Sequence, residues 1–154
     1  MPAWIVILVA LVTIYLVIQP SRPAYQRYLQ LRRPRWFNFE STYTLIWLGF
    51  YVCFFFSARL VLERSWSWNL AITYLILVLL AQSVNWLVCI TRSPLFGVLL
   101  GGMAWVWALL TLLAVAPRSG LAAALLLPYV LLEPVAILGR LQIHWLNPGA
   151  RRSR

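Results

Sequence analysis

Residues 121–147 read LAAALLLPYVLLEPVAILGRLQIHWLN, a stretch long enough to cross a bilayer yet interrupted by polar side chains. About 20 mostly apolar residues suffice for a span. Glu133, Arg140, Gln142 and His144 lie within the run, with Leu, Val, Ile and Ala around them. Ionisable groups are costly inside a span, so they usually pair and face a bundle interior or a cavity. We therefore expect the rest of the chain to form helices packed around these groups.

The composition identifies the class of protein. The chain has 154 residues, of which 63% are hydrophobic and 10% charged. A soluble domain of this size has too little interior to bury so much apolar surface. The sequence therefore predicts an all-α integral membrane protein, with one five-helix membrane domain over residues 1–154. The spans are predicted at about residues 3–18, 42–62, 69–90, 95–116 and 121–146, with an Arg-rich loop at 19–41.

The charge pattern predicts how the chain lies in the membrane. The net charge is +10, and all 13 basic residues are Arg. They flank the spans rather than forming one basic face, so the lipid bilayer is the expected partner and nucleic acid is not. Nine Arg fall on the side of the long loop and the C-terminus, and three on the other. The positive-inside rule then places the C-terminus in the cytoplasm and the N-terminus outside. A bacterial inner membrane or a thylakoid-type membrane is the expected location.

The Arg-rich loop 19–41 allows two interpretations. It carries five Arg interleaved with aromatic residues, and Tyr25–Leu31 could form a short amphipathic helix on the membrane surface. Pro34 is expected to end any helix there. The loop either rests on lipid headgroups or forms a lid over a pocket between the spans.

Polar residues inside the spans also allow two interpretations each. Gln82 and Asn85 interrupt span three, where amides hold helices together or contact the polar edge of a ligand. Glu133 and Arg140 are seven residues apart, which puts them on nearly the same helix face about 10 Å apart along the axis. They form either a structural ion pair or contacts to a bound acid or amide.

The spacing Gly97-x-x-x-Gly101-Gly102 in span four predicts a close helix approach. That approach could occur inside the bundle or between protomers. A homodimer or a larger membrane complex is therefore a candidate assembly.

Catalytic chemistry is not expected. His144 is the sole His, and Cys53 and Cys89 lie apart inside predicted spans. These residues cannot build a metal cluster or a general-base constellation. Phosphate-binding loops, nucleotide fingerprints and nucleophile-elbow motifs do not occur in the sequence. We therefore predict no enzyme activity, no catalytic residue and no metal site.

Short motifs stand in an order and spacing typical of one membrane protein family. They are Arg33-Pro34-Arg35-Trp36 before span two, Trp47-x-x-x-Tyr51 within it, Ser93-Pro94-Leu95-Phe96 at the start of span four, and Leu127-Pro128-Tyr129 with Leu146-Asn147 in span five. With nine Trp in the chain, this pattern resembles the TspO/MBR family of tryptophan-rich sensory or translocator proteins. The resemblance covers about residues 28–147.

This resemblance implies a five-span bundle that binds a tetrapyrrole (a porphyrin, haem or chlorophyll-type molecule) or a similar hydrophobic small-molecule ligand, in transport or sensing. The pocket would lie between spans one, two, three and five, under the Arg-rich loop. The candidate ligand-binding residues, from the resemblance and from the polar positions above, are Trp36, Trp47, Tyr51, Gln82, Asn85, Tyr129, Glu133 and Arg140.

The chain also departs from the family pattern. Asn38-Phe39 stands where the family has Pro-Pro, Leu132 where it has Trp, and Gly139-Arg140 where it has Leu-Asn. Because several of these positions line the family's pocket, a second hypothesis is a non-catalytic accessory subunit of a larger membrane complex, such as a pigment–protein assembly.

Overall fold

The structure, a computed structural model, describes residues 3–36, 40–64 and 66–148. Within these ranges the chain folds entirely into helices and their connections. The helices are α1 (Ala3–Val17), α2 (Arg22–Leu29), α3 (Glu40–Leu62), α4 (Trp68–Thr91), α5 (Pro94–Val115) and α6 (Gly120–Leu146).

Four of these helices, α3 to α6, are long and apolar enough to cross a membrane. The helix α1 has 15 residues, about 22 Å at the rise of an α-helix, and is short for a hydrocarbon core of roughly 30 Å. It is followed after a short break by α2, and the two are bent by 71°. The all-helical membrane bundle predicted from the sequence is therefore confirmed, with four spans or, if the bent pair also crosses, five.

The connections on either side of α5 carry residues that commonly end or begin helices. Arg92 has the left-handed backbone conformation (φ 52°) that commonly ends a helix, and Pro94 opens α5. Ser119 caps α6 by accepting a hydrogen bond from the backbone N–H of Ala122 at 3.2 Å. These turns lie between the spans predicted at about residues 69–90, 95–116 and 121–146.

The first connection contains a helix of its own. The sequence predicted one or two amphipathic turns near Tyr25–Leu31, and α2 lies slightly earlier, at Arg22–Leu29, with Pro23 in its first turn. Its buried residue is Ala24, and the helix packs against α4. The chain leaves the helical conformation before Pro34, as expected.

In the described chain, α6 packs against α5 and α3, and α4 packs against α5. The interior is mainly apolar, and its fully buried side chains include Phe54, Leu77, Leu126 and Tyr129. The outer faces carry exposed Leu and Val, such as Leu131, which is 68% exposed. In a bilayer these faces contact lipid, so packing and side-chain hydrogen bonds, rather than burial from water, hold the helices together.

The helix α6 continues through Pro128 and Pro134. Proline has no N–H, so Pro134 leaves the carbonyl of Val130, four residues earlier, without its usual helical donor. The indole Nε1 of Trp105 on α5 donates to that carbonyl at 2.8 Å. A neighbouring helix thus satisfies the backbone group that proline frees, as the absence of water in a bilayer core requires.

Candidate ligand-binding site

An aromatic cluster joins α3 to α6. The ring of Tyr129 lies edge-on to Phe50, Phe54 and Trp47, with centroid separations of 5.3, 5.2 and 6.4 Å. The ring of Tyr51 lies 6.4 Å from that of Trp47, one turn along α3. Edge-to-face geometry favours such pairs beyond the area that they bury. Trp47 and Tyr129 are 8% and 1% exposed, so the cluster is closed in this structure.

A hydrogen-bond chain adjoins this cluster. The hydroxyl of Tyr51 donates to Oε1 of Gln82 on α4. Nε2 of the same amide donates to the carbonyl of Ile18, just beyond the end of α1, at 2.7 Å. Carbonyls at a helix end have no partner within the helix, so Gln82 satisfies one of them while it joins α1, α3 and α4.

The segment after α2 is fastened to the C-terminal end of α6. The side-chain amide of Asn147 accepts from the N–H of Arg32 at 3.0 Å and donates to its carbonyl at 2.9 Å. It also donates to the carbonyl of Ile143 at 2.8 Å. Trp36 adds a second attachment, since its Nε1 donates to Oε1 of Gln142 at 2.8 Å. We call these two attachments the clasp.

Glu133 and Arg140 form a buried ion pair. Nη1 of Arg140 lies 2.7 Å from Oε1 of Glu133, and the side chains are 3% and 1% exposed. The pair faces the glycines of α5: a Cβ on Gly101 would lie 2.9 Å from both of these atoms. A Cβ on Gly97 would meet Val88 and would lie 2.9 Å from Cδ of Arg140. The close approach predicted for these two glycines therefore occurs inside the bundle, between α5 and α6 at both positions and between α5 and α4 at Gly97.

The structure thus distributes the eight predicted ligand residues over three places. Trp47, Tyr51, Gln82 and Tyr129 lie together around the aromatic cluster, with Asn85 nearly one turn further along α4. Trp36 belongs to the clasp, and Glu133 and Arg140 face α5. Gln142 and Asn147, the α6 partners in the clasp, were not among the predicted site residues. Asn147 nevertheless stands in the Leu146-Asn147 motif, which was the signal for it.

A cavity of about 310 Å³ lies between α1, α3 and α4. It reaches Trp66 and Trp68 at the α3–α4 connection, the end of α3 far from the clasp. The eight candidate residues are absent from its lining. Sequence reasoning missed this cavity because ordinary apolar residues of helices distant in the chain form its walls.

In the described residues, His, Cys, Asp and Glu do not gather in groups of three or more. Among the described residues, Glu133 and Arg140 form a buried ion pair, while Gln82 joins helices and Trp36 belongs to the clasp. These features define a polytopic helical membrane protein with an aromatic interior.

The TspO/MBR family model matches residues 3–146, and the chain belongs to the TspO/MBR family. The resemblance drawn from the Trp, Pro-Tyr and Leu-Asn motifs is thereby confirmed. No curated protein matches the chain significantly. Family membership makes this an integral membrane protein of a family associated with sensing, transport and ligand binding.

Proposed function

We propose that the protein binds a tetrapyrrole, of the porphyrin, haem or chlorophyll type, or a similarly flat hydrophobic molecule, and acts in transport or sensing. The observation that supports this proposal best is the aromatic cluster of Trp47, Tyr51 and Tyr129 beside the amide of Gln82. Ring faces and edges suit a flat ligand, and a few polar groups fix its orientation.

The segment that carries the clasp adds positive charge beside the C-terminal end of α6. Arg32 and Arg35 are exposed there, next to the residues that attach the segment to α6. A guanidinium forms paired hydrogen bonds with a carboxylate, the group that porphyrins carry at their edge. These two side chains would therefore hold the ligand's carboxylates while its ring reaches the aromatic cluster.

The buried state of Trp47 and Tyr129 implies that ligand entry requires an opening. We propose that the clasp opens: the hydrogen bonds from Trp36 to Gln142 and between Arg32 and Asn147 would break as the segment moves away. The Arg-rich loop would then act as a lid over the pocket, which is the second of the two interpretations given for it above. Glu133 and Arg140 would contact ligand only if their pair separated, so the proposal rests on the other six candidate residues.

The test is a titration of the purified protein, in mild detergent, with haem and with protoporphyrin. We expect a shifted Soret band and Trp quenching at one ligand per protein. Trp47→Leu should weaken binding roughly fivefold, since an aromatic contact contributes on the order of 1 kcal/mol. Trp145→Leu is the matched control, because Trp145 is 67% exposed on α6. Arg32→Gln with Arg35→Gln should weaken binding about tenfold or more for a carboxylate-bearing porphyrin.

An accessory subunit of a larger membrane complex, such as a pigment–protein assembly, is the second candidate function. It is favoured because several predicted ligand residues already bind one another. Tyr51 is hydrogen-bonded to Gln82, and Glu133 forms an ion pair with Arg140. In this case the protein would purify from its native membrane, a bacterial inner membrane or a thylakoid-type membrane, with other subunits or as a homodimer. A stable complex without a stoichiometric Soret band would favour this candidate over the first.

A further inference from the structure

The cavity between α1, α3 and α4 is almost entirely hydrocarbon-lined. Its walls include Ile7 and Ile14 of α1, Ala58 of α3 and Val78 of α4. Tyr74 of α4 also lines the cavity, and its hydroxyl is hydrogen-bonded to Oγ of Ser57 on α3 at 2.6 Å.

The hydroxyl of Tyr74 already makes a hydrogen bond inside the bundle. Ser57 donates its one hydroxyl proton to the carbonyl of Ala122 at 2.7 Å. In its bond with Ser57, Tyr74 must therefore be the donor. A polar or charged occupant would consequently lose its solvation in this cavity without gaining comparable hydrogen bonds.

The cavity is as long as one leaflet of a bilayer. Along α4 its lining runs from Trp68 to Val78, which spans about 15 Å at the rise of an α-helix. Along α3 it runs from Phe54 to Leu62, about 12 Å. The hydrocarbon core of a bilayer is about 30 Å thick, so the cavity covers roughly one half of it.

One side of the cavity is open to the membrane. The exposed side chains of its lining include Val6 on α1 and Ile72 and Leu75 on α4, which are 46%, 49% and 41% exposed. At its end stand Trp66 and Trp68, with ring centroids 5.4 Å apart and 44% and 70% exposed. Trp is enriched at the membrane–water interface, so this end lies at the level of the lipid headgroups.

We propose that this cavity is a lipid site, which holds one acyl chain of a bilayer phospholipid with the headgroup end at Trp66 and Trp68. Three features favour a hydrocarbon chain that enters from the bilayer. The cavity is as long as one leaflet, it opens laterally between α1 and α4, and its lining is uncharged. Water has too few polar partners to occupy such a site. A methylene chain gains dispersion contacts along the whole length of the walls. The site shares Phe54 with the aromatic cluster and extends from there along α3 towards Trp66 and Trp68.

The experiment combines native mass spectrometry with photo-crosslinking. The protein is purified in mild detergent and weighed with its retained lipids, then reconstituted with phosphatidylcholine that carries a diazirine in one acyl chain. Ala10→Phe and Ala71→Phe fill the cavity from α1 and α4, and Ala124→Phe is the matched control on an exposed face of α6. We expect one retained phospholipid in the wild type and the control, its loss in both filled variants, and crosslinks concentrated on α1 and α4.

Crosslinking of the wild type tests the site even if a filled variant fails to fold. Crosslinks spread evenly over the outer faces of all helices would show ordinary surrounding lipid and overturn the proposal. Retention of the phospholipid by both folded, filled variants would overturn it as well. The proposal would also be overturned if organic extraction of the wild type yielded one equivalent of a molecule that is not a phospholipid, and if the filled variants no longer retained that molecule.

Discussion

At the scale of single residues, the Glu133–Arg140 pair is the most demanding feature of the interior. Both side chains are at least 97% buried, and their charged atoms meet at 2.7 Å. Removing one partner leaves the other charge buried and unpaired, which costs about 3–5 kcal/mol, whereas replacing both partners is often nearly neutral. We therefore expect Glu133→Met and Arg140→Met each to destabilise the protein strongly, and the double variant to recover most of the loss.

The two single variants should also differ from each other. A carboxyl group can bind a proton and become neutral, but a guanidinium stays charged. Glu133→Met, which leaves Arg140 behind, should therefore lower the free energy of unfolding more than Arg140→Met does. Unfolding in detergent by added dodecyl sulfate, followed by circular dichroism, measures all three variants. Strictly additive losses in the double variant would contradict direct pairing.

The hydrogen bond of Trp105 is expected to stabilise the protein more than that of Trp107. The indole of Trp105 serves the carbonyl of Val130 that Pro134 frees, whereas Trp107 donates to the carbonyl of Thr73, inside an uninterrupted stretch of α4. Trp105→Phe should therefore lower the free energy of unfolding by about 1 kcal/mol more than Trp107→Phe. In a Pro134→Ala background the helix supplies its own donor, and the difference should shrink. An unchanged difference in that background would contradict the role assigned to proline.

At the scale of elements, the glycines of α5 set how closely it approaches α6. An added Cβ at Gly97 or Gly101 would overlap Arg140, but one at Gly102 would meet no atom within 4 Å. Gly97→Ala and Gly101→Ala should each cost about 1–3 kcal/mol through overpacking. Gly102→Ala, the matched control, should be neutral or stabilise by up to about 1 kcal/mol through helix propensity. The same dodecyl sulfate titration compares them, and equal losses at all three positions would contradict this packing.

The helices themselves were predictable because their signals are local. The apolar runs of α3 to α6 are long enough to cross the bilayer core, and the Ser-Pro and Pro-Arg-Ser-Gly turns separate α4, α5 and α6. The ion pair of Glu133 and Arg140 was one of the two interpretations of the sequence, but Gly97 and Gly101 were not identified as its neighbours. Their meeting depends on the rotation of α5 about its axis relative to α6, which no short sequence pattern encodes. The clasp joins residues 115 and 106 positions apart, and no short sequence pattern encodes contacts between such distant residues.

At the scale of the whole molecule, the topology depends on whether the short α1 crosses the membrane. With α1 as a fifth span the two ends lie on opposite sides; with four spans they lie on the same side. Several observations favour the crossing. Ile14 is buried against the bundle, Gln82 ties the end of α1 to α3 and α4, and α2 then turns by 71°, as a helix at the surface would.

The Arg distribution then predicts the direction in which the chain crosses the membrane. The connection with α2 carries five Arg and the C-terminal tail three, and both would lie on the cytoplasmic side, where Arg is enriched. We expect a C-terminal epitope tag to be protected from protease in sealed, right-side-out vesicles and an N-terminal tag to be cleaved. Inverted vesicles are the control and should reverse the pattern. Cleavage of both tags in one vesicle type and neither in the other would place both ends on one side, and α1 would then be a re-entrant or surface helix.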